Sequence, residues 1–95
     1  MTEKAFQSEV VKFAHLMGWL VYHTYDSRRS APGFPDLVLV KGERILYREL
    51  KTETGKLTDA QTLWGKKLRE AGGNWTVWRP SQLDEIYRFL MGVRS

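Results

Sequence analysis

Three stretches of this chain carry apolar residues at the spacing of a helix. In residues 3–17 they recur every three or four positions, which predicts one buried stripe. A second such stretch spans residues 59–71 and is stopped by glycines, and a third follows Pro80 and runs to about Met91. The three predicted apolar faces are Phe6, Val10, Phe13 and Met17; Ala60, Leu63, Trp64, Leu68 and Ala71; and Leu83, Ile86, Tyr87 and Leu90.

Four other stretches are rich in β-branched and aromatic residues and predict strands: Trp19 to Tyr25, residues 36–40, residues 45–51, and Trp75 to Arg79. The polar, glycine-containing segment 41–44 predicts a hairpin turn between the second and third strands. The predicted order is therefore α-β-β-β-α-β-α. Because a helix joins the last two strands, they are expected to be parallel in an otherwise antiparallel four-stranded sheet, flanked by helices in an α/β fold.

Composition narrows the classes of function without choosing one. Ninety-five residues predict a single domain, residues 1–95. The absence of cysteine excludes disulfides, thiolate zinc sites and cysteine nucleophiles. The formal net charge of +4 favours a polyanionic partner. No apolar run reaches the length of about 18 residues that spans a membrane, and the first residues lack a signal-peptide layout, so we expect a cytoplasmic protein.

The chemistry suggested by the sequence lies in the predicted hairpin. Asp36 opens its first strand, and Glu49 and Lys51, two positions apart, share one face of its second strand. Antiparallel pairing can bring Asp36 beside Glu49 at one end of the sheet. Two carboxylates bind a hard divalent cation, and a lysine beside them can stabilise charge on a phosphate. A turn aspartate and a charged strand end also occur without function, but the three residues in register indicate a catalytic site.

These residues resemble the PD-(D/E)xK nuclease superfamily, with Pro35-Asp36 as the PD and Glu49-Leu50-Lys51 as the ExK. Within it, the chain is similar to a stand-alone VRR-NUC domain, the virus-type nuclease module. Further matches are Glu9, Gly33 to Leu37, and Leu57 to Gln61. The resemblance implies a restriction-endonuclease-like core and an endonuclease that uses Mg²⁺ or Mn²⁺.

Three more site residues follow from this resemblance. It implies that Glu9 and the backbone carbonyl of Leu50 join Asp36 and Glu49 as metal ligands; position alone equally allows Glu9 to be a rim residue that pairs with a lysine. It also implies a place near the active site for Gln61. The spacing from Thr58 to Gln61 is that of a capping box, which explains both residues without catalysis.

Contacts with DNA are expected from basic residues around this site. Arg28, Arg29 and Ser30 precede the PD motif, and adjacent arginines suit phosphate binding. Lys66 lies on the outward side of the second predicted helix and could follow a DNA backbone. A solvated loop and a solvated helix face explain the same residues.

The sequence thus predicts a metal-dependent, structure-selective DNA endonuclease. A chain this short offers little surface for reading base sequence, so we expect recognition of DNA shape, with branched DNA and Holliday junctions preferred. A homodimer would match the symmetry of a four-way junction, and its seam is expected between Trp75 and Leu90. The resemblance also suggests a phage or prophage origin. The alternatives are flap, nicking or restriction-like cleavage, and a non-enzymatic nucleic-acid-binding module with a vestigial site.

Overall fold

The computed structural model describes residues 1–24 and 29–92. It confirms the predicted α-β-β-β-α-β-α order and adds one short 3-10 turn, Pro80–Gln82, before the last helix. In this described part, no helix combines the length and the apolar character needed to cross a membrane. The elements are α1 (Glu3–Leu16), β1 (Leu20–His23), β2 (Leu37–Lys41), β3 (Arg44–Leu50), α2 (Asp59–Glu70), β4 (Asn74–Trp78) and α3 (Leu83–Met91).

The four strands form one mixed sheet in the order β1-β2-β3-β4. The β1–β2 and β2–β3 pairs are antiparallel, and β4 lies parallel to β3 after the α2 crossover, as predicted. A two-residue turn closes the β2–β3 hairpin between Lys41 and Arg44. Its first residue, Gly42, has a φ of +59°, a value that residues with a side chain rarely adopt. The turn sets the register, and the register decides which side chains meet at the far end of the hairpin.

One face of the sheet forms the core against α1 and α3. The helical stripe of α1 enters through Phe6, Val10 and Ala14, and α3 contributes Ile86 and Leu90. From the sheet, every second residue of the strands points inward. These buried sheet residues are Leu37, Leu39, Leu46, Leu50 and Trp78.

The other face of the sheet is covered by α2 only over its β4 side. The buried residue of α2 is Gly65, and a Cβ there would lie 2.5 Å from the ring of Trp75. The predicted apolar face of α2 was therefore partly wrong: Leu63 and Ala71 are exposed. The physical reason is that the glycine lets the indole of Trp75 approach the helix backbone, which rotates the helix away from its apolar spacing.

Candidate active site

Asp36 and Glu49 lie together at the end of the β2–β3 hairpin away from the turn. Leu37 pairs with Arg48, so one step further along the register Asp36 faces Glu49. The backbone N–H of Leu50 donates to Asp36 Oδ2 over 2.8 Å. This bond fixes the aspartate against β3, and the two carboxyls are close enough to share a proton. The structure therefore brings together the two acids that the sequence paired.

Glu49 is a buried carboxyl that could accept a further hydrogen bond. It is 1% exposed, and its Oε1 has no hydrogen-bond partner among residues 1–24 and 29–92. Burial, followed by contact with the Asp36 carboxyl and its charge, raises the pKa of Glu49 to about 9. Two ionised carboxylates cannot bond each other, so this site holds either an acidic proton or a cation.

Lys51 lies two residues beyond Glu49, so the alternation of β3 carries it to the same face. Its N–H donates to the Trp78 carbonyl over 3.1 Å, which continues the β3–β4 pairing past the strand end. The lysine charge lowers the pKa of Glu49, against the larger upward effect of burial. The ammonium thus acts electrostatically on Glu49.

Gln61 joins the N-terminus of α2 to this site. Its Oε1 accepts from the Thr58 N–H over 2.9 Å, and its own N–H donates to Thr58 Oγ1 over 3.1 Å, completing the capping box. The amide nitrogen Nε2 donates to Glu49 Oε2 over 3.2 Å. One side chain therefore performs both roles that the sequence suggested, because its oxygen caps the helix while its nitrogen positions the acid.

The loop before Asp36 is held against the same helix. Gly33 has a φ of +85°, and a Cβ there would lie 2.5 Å from the Ala60 carbonyl oxygen. Trp64 Nε1 donates to the Pro32 carbonyl over 3.1 Å, and its ring meets the edge of Phe34 at 5.2 Å between centroids. Trp64, which we expected in the core, instead packs against this loop.

The segment after Lys51 is held by a residue that the sequence did not single out. Arg79 Nη1 donates to the carbonyls of Thr52 and Gly55, each over 2.7 Å. The Ser81 N–H donates to Glu53 Oε2 over 3.1 Å. These bonds tie the turn beside the acid pair to the end of β4. An arginine that donates to backbone carbonyls belongs to no spacing motif. The sequence therefore did not predict the role of Arg79.

Comparison with known proteins agrees with this geometry. The VRR-NUC domain family matches residues 2–82. The chain belongs to the VRR-NUC family. It is therefore a nuclease of the PD-(D/E)xK type with a restriction-endonuclease-like fold. A search of curated proteins finds no match.

Solved structures place the fold among the same proteins. A VRR_NUC domain protein aligns with a TM-score of 0.71 and 19% identity, over 95% of this chain and 90% of that one. A second structure, a VRR_NUC domain, aligns with a TM-score of 0.65 and 27% identity, over 90% and 95%. Hjc, a Holliday junction resolvase from Archaeoglobus fulgidus, aligns with a TM-score of 0.52 and 21% identity, over 82% of this chain and 65% of that one.

Glu9, expected as a metal ligand, lies elsewhere in this VRR-NUC domain. It is exposed, and its Oε2 accepts from the Tyr87 hydroxyl of α3 over 3.4 Å. The stripe that enters the core passes through Phe6 and Val10, so Glu9 lies at its Phe13 edge, beside the ring of Tyr87. Within the described residues, no three acids or histidines cluster as a metal site. The expectation for Glu9 is corrected by this helix rotation.

Glu3 is the acid of α1 that acts on the site. It begins the helix at the sheet end where Asp36 and Glu49 meet, and its charge contributes to the raised pKa of Glu49. Sequence reasoning missed Glu3 because an acid in the first turn of a helix is explained by the helix dipole alone. Its neighbour one turn on, Gln7, reaches toward the β1 end, with Nε2 at 3.5 Å from His23 Nδ1. The signal for Glu3 that the sequence offered was a glutamate and a glutamine one turn apart on the same face of α1.

The remaining predicted residues are placed as follows. Arg28 lies outside the described residues, whereas Arg29 and Ser30 begin the described part of the loop that leads to Gly33. Lys66 is exposed on α2. The side chain of Leu50 is buried in the core, so only its backbone carbonyl could take part in the site.

Proposed function

We propose that this VRR-NUC domain is a Mg²⁺- or Mn²⁺-dependent endonuclease that cuts branched DNA, with four-way junctions preferred, and that it acts as a homodimer. The observation that carries the proposal is the pair of Asp36 and buried Glu49, with Glu49 Oε1 unpartnered among the described residues and the charge of Lys51 acting on Glu49.

The donor set fits a hard divalent cation. Asp36 and Glu49 would hold it, with the Leu50 carbonyl as a third oxygen. Mg²⁺ commonly keeps several waters and binds through one or two carboxylates plus substrate phosphate, so two acids suffice. Glu3 would add charge from the edge of the site rather than a buried ligand. When bound, the cation would lower the pKa of a coordinated water and stabilise charge on the phosphate.

The side chains divide the remaining work. The Lys51 ammonium orients the attacking water and stabilises the charge that grows on the phosphorus oxygens. Gln61 holds Glu49 in place through its 3.2 Å bond, so that the acid cannot turn away from the site. Asp36 is held in the same way by the Leu50 N–H. The site therefore keeps its geometry before substrate arrives, which is what electrostatic catalysis requires.

DNA would contact Arg29 and Ser30 in the loop before Gly33 and Lys66 on α2, and Arg28, which lies outside the described residues, is expected to take part through its charge. Phosphate contacts of this kind position DNA without reading its sequence. The preference for junctions draws on the function named for Hjc, which shares the fold. A homodimer offers two sites related by a two-fold axis, in keeping with a four-way junction. A cytoplasmic place of action and a phage or prophage origin stay predictions.

The test is cleavage of a panel of end-labelled substrates: a four-way junction, a flap, a nicked duplex and an intact duplex. We expect the junction to be cut on two opposed strands in Mg²⁺ or Mn²⁺, and nothing to be cut in EDTA. Glu9→Gln, which alters an exposed acid on α1, serves as the control and should match the native chain. Preferential cutting of flaps or nicked DNA would replace the junction proposal, and cleavage undiminished by EDTA would overturn the metal mechanism.

A further inference from the structure

The sheet face that carries the acid pair continues, toward the Gly42 turn, into an uncovered apolar surface. Along β1, β2 and β3, the side chains on this face between that turn and Glu49 carry no charge. Leu20 is 75% exposed, Tyr22 60% and Ile45 50%, values unusual for large apolar residues of central and edge strands. This surface, the open face, consists of Leu20, Tyr22, Val38, Val40, Ile45 and Tyr47.

The described neighbours leave the open face bare. Helix α2 packs over β4 through Gly65 and does not extend across β1. The two basic residues that flank the turn of the hairpin, Lys41 and Arg44, point to the opposite face of the sheet. Lys41 Nζ donates to the Met17 carbonyl over 2.6 Å, and the Arg44 guanidinium lies 4.7 Å from the ring centroid of Phe89. Because phosphates are bound by cations, a DNA backbone is a poor occupant for this face.

The size of the open face suits a protein partner. Its exposed apolar area is on the order of 500 Å², at the upper end of the largest patch on a typical monomer. A standard interface covers about 800 Å² on each partner, of which an apolar centre is one part and a polar rim the rest. The open face therefore supplies the centre of one standard interface.

We propose that the open face is the seam of a two-fold homodimer, in which it packs against the open face of a second copy. The inference rests on the function proposed above in one respect: cutting two strands of a junction needs two active sites. It also revises the seam expected from the sequence, between Trp75 and Leu90. In that stretch Trp78, Ile86 and Leu90 are already buried inside the protomer and leave little apolar area for a partner.

This seam would lie beside the active site without covering it. Glu49 follows Ile45 by four residues along β3, about 13 Å at the rise of a strand. Each acid pair would then lie at the margin of the dimer contact, at a fixed distance from its symmetry mate. Dimerisation through the open face would thereby give two sites one rigid support.

The test compares two leucines of nearly equal exposure. Leu20→Glu places a charge on the open face, whereas Leu16→Glu places the same charge on α1, where the leucine is 74% exposed. Oligomeric state is measured by sedimentation velocity on the free protein, without DNA or metal. We expect native chain and Leu16→Glu to be dimers, and Leu20→Glu to associate at least about 30-fold more weakly. Circular dichroism checks that each variant is folded, and Ile45→Glu repeats the test on β3.

A second measurement uses the absence of native cysteine. A spin label on Ile45→Cys should report a short distance between protomers, and a label on Leu16→Cys a long one. A monomeric native chain, or an unchanged dimer in both Leu20→Glu and Ile45→Glu, would overturn the proposed seam. A dimer with these properties that cuts no DNA would leave the seam standing and refute the proposed function instead.

Discussion

The two ends of one sheet face depart from ordinary burial in opposite directions. At the far end of the hairpin, Glu49 is a carboxyl inside the protein, with an oxygen that no described residue satisfies. At the turn end, Leu20, Tyr22 and Ile45 are apolar side chains facing water. Folding alone favours neither arrangement, because buried acids and exposed apolar patches both cost free energy. Each end is therefore best explained by something that binds there, a cation at one and a protein surface at the other.

Arg48 is a buried charge that the fold satisfies at both Nη atoms, while its Nε, like Glu49 Oε1, has no hydrogen-bond partner among the described residues. It precedes Glu49 and points to the opposite face of β3. Its Nη1 donates to the Asn74 carbonyl over 2.7 Å, its Nη2 donates to Asn74 Oδ1 over 2.9 Å, and its guanidinium lies 4.8 Å from the ring centroid of Trp78. Burial, with the charges of nearby arginines, lowers its pKa to about 10. Protein groups thus hold Arg48 at both Nη atoms. The unpartnered atoms of the two residues differ in chemistry, because Arg48 Nε can only donate, whereas Glu49 Oε1 can accept a hydrogen bond or bind a cation.

The largest expected effect follows from changing the acid that Glu49 faces. Asp36→Asn keeps an oxygen that can accept from the Leu50 N–H, so the fold should survive. It removes one of two carboxylate ligands, and we expect cleavage to fall at least about 1,000-fold. Single-turnover cleavage of a labelled junction measures this, with a thermal melt to check folding. If Asp36→Asn cuts with Mg²⁺ at more than a tenth of the native rate, the role of Asp36 as a metal ligand is contradicted, because the loss of a ligand should cost more than that.

Lys51→Ala should lower the rate of the chemical step by about 100-fold or more while DNA affinity changes by less than about 10-fold. The reason is that Lys51 acts on charge that develops in the transition state, yet is one of 15 basic residues. Lys66→Ala, on the exposed face of α2, is the matched control and should weaken binding without slowing the chemistry. Saturated single-turnover rates and equilibrium binding in EDTA separate the two quantities. Equal losses of rate and affinity in Lys51→Ala would mark it as a simple phosphate contact.

Gly33→Ala tests whether contact with α2 supports the site. Gly33 and Gly72 have nearly the same φ, +85° and +87°, but a Cβ at Gly72 meets nothing within 4 Å, whereas one at Gly33 meets the Ala60 backbone. Both substitutions add a left-handed strain of about 1–2 kcal/mol, and only Gly33→Ala adds about 1–3 kcal/mol of overpacking. Urea unfolding measures the difference in free energy. Equal destabilisation by the two changes would show that the loop can move away from the helix at no cost.

The smallest expected effect is a gain in stability. An unfolded glutamate loses its proton near pH 4.5, whereas folded Glu49 keeps it to about pH 9. Between these values the folded state binds more protons, so the stability of the metal-free protein falls as pH rises. Glu49→Gln cannot ionise and should be the more stable protein at pH 8, by at least about 1.4 kcal/mol, the equivalent of a single pKa unit. Thermal melts in EDTA at pH 5 and pH 8 check this: a difference that does not grow with pH would contradict the buried acid.

The sequence predicted those features that depend on local spacing. Alternation along β3 places Glu49 and Lys51 on one face, and the short turn at Gly42 fixes the register that brings Asp36 beside them. Such relations need only the geometry of one hairpin. For that reason the sequence alone predicts that Asp36 and Glu49 meet.

Features that depend on how helices lie on the sheet were less predictable. Glu9 and Glu3 are less than two turns apart, and the rotation of α1 decides which of them acts on Glu49. In the same way the contact between Gly65 and Trp75 turns α2, so that Leu63 faces solvent. Apolar spacing predicts which side of a helix is buried, but it does not predict the rotation of the helix about its axis to within one residue. The open face was missed for a related reason, since alternating strands do not reveal which face a helix will cover.

The central claim is that the acid pair at the end of the hairpin binds a divalent cation. Calorimetric titration of Mn²⁺ into the DNA-free protein at pH 8 tests it directly, with Asp36→Asn and Glu9→Gln measured under the same conditions. We expect saturable binding to the native chain and to Glu9→Gln, and its loss in Asp36→Asn. Binding that survives in Asp36→Asn, or that disappears in Glu9→Gln, would contradict the site described here.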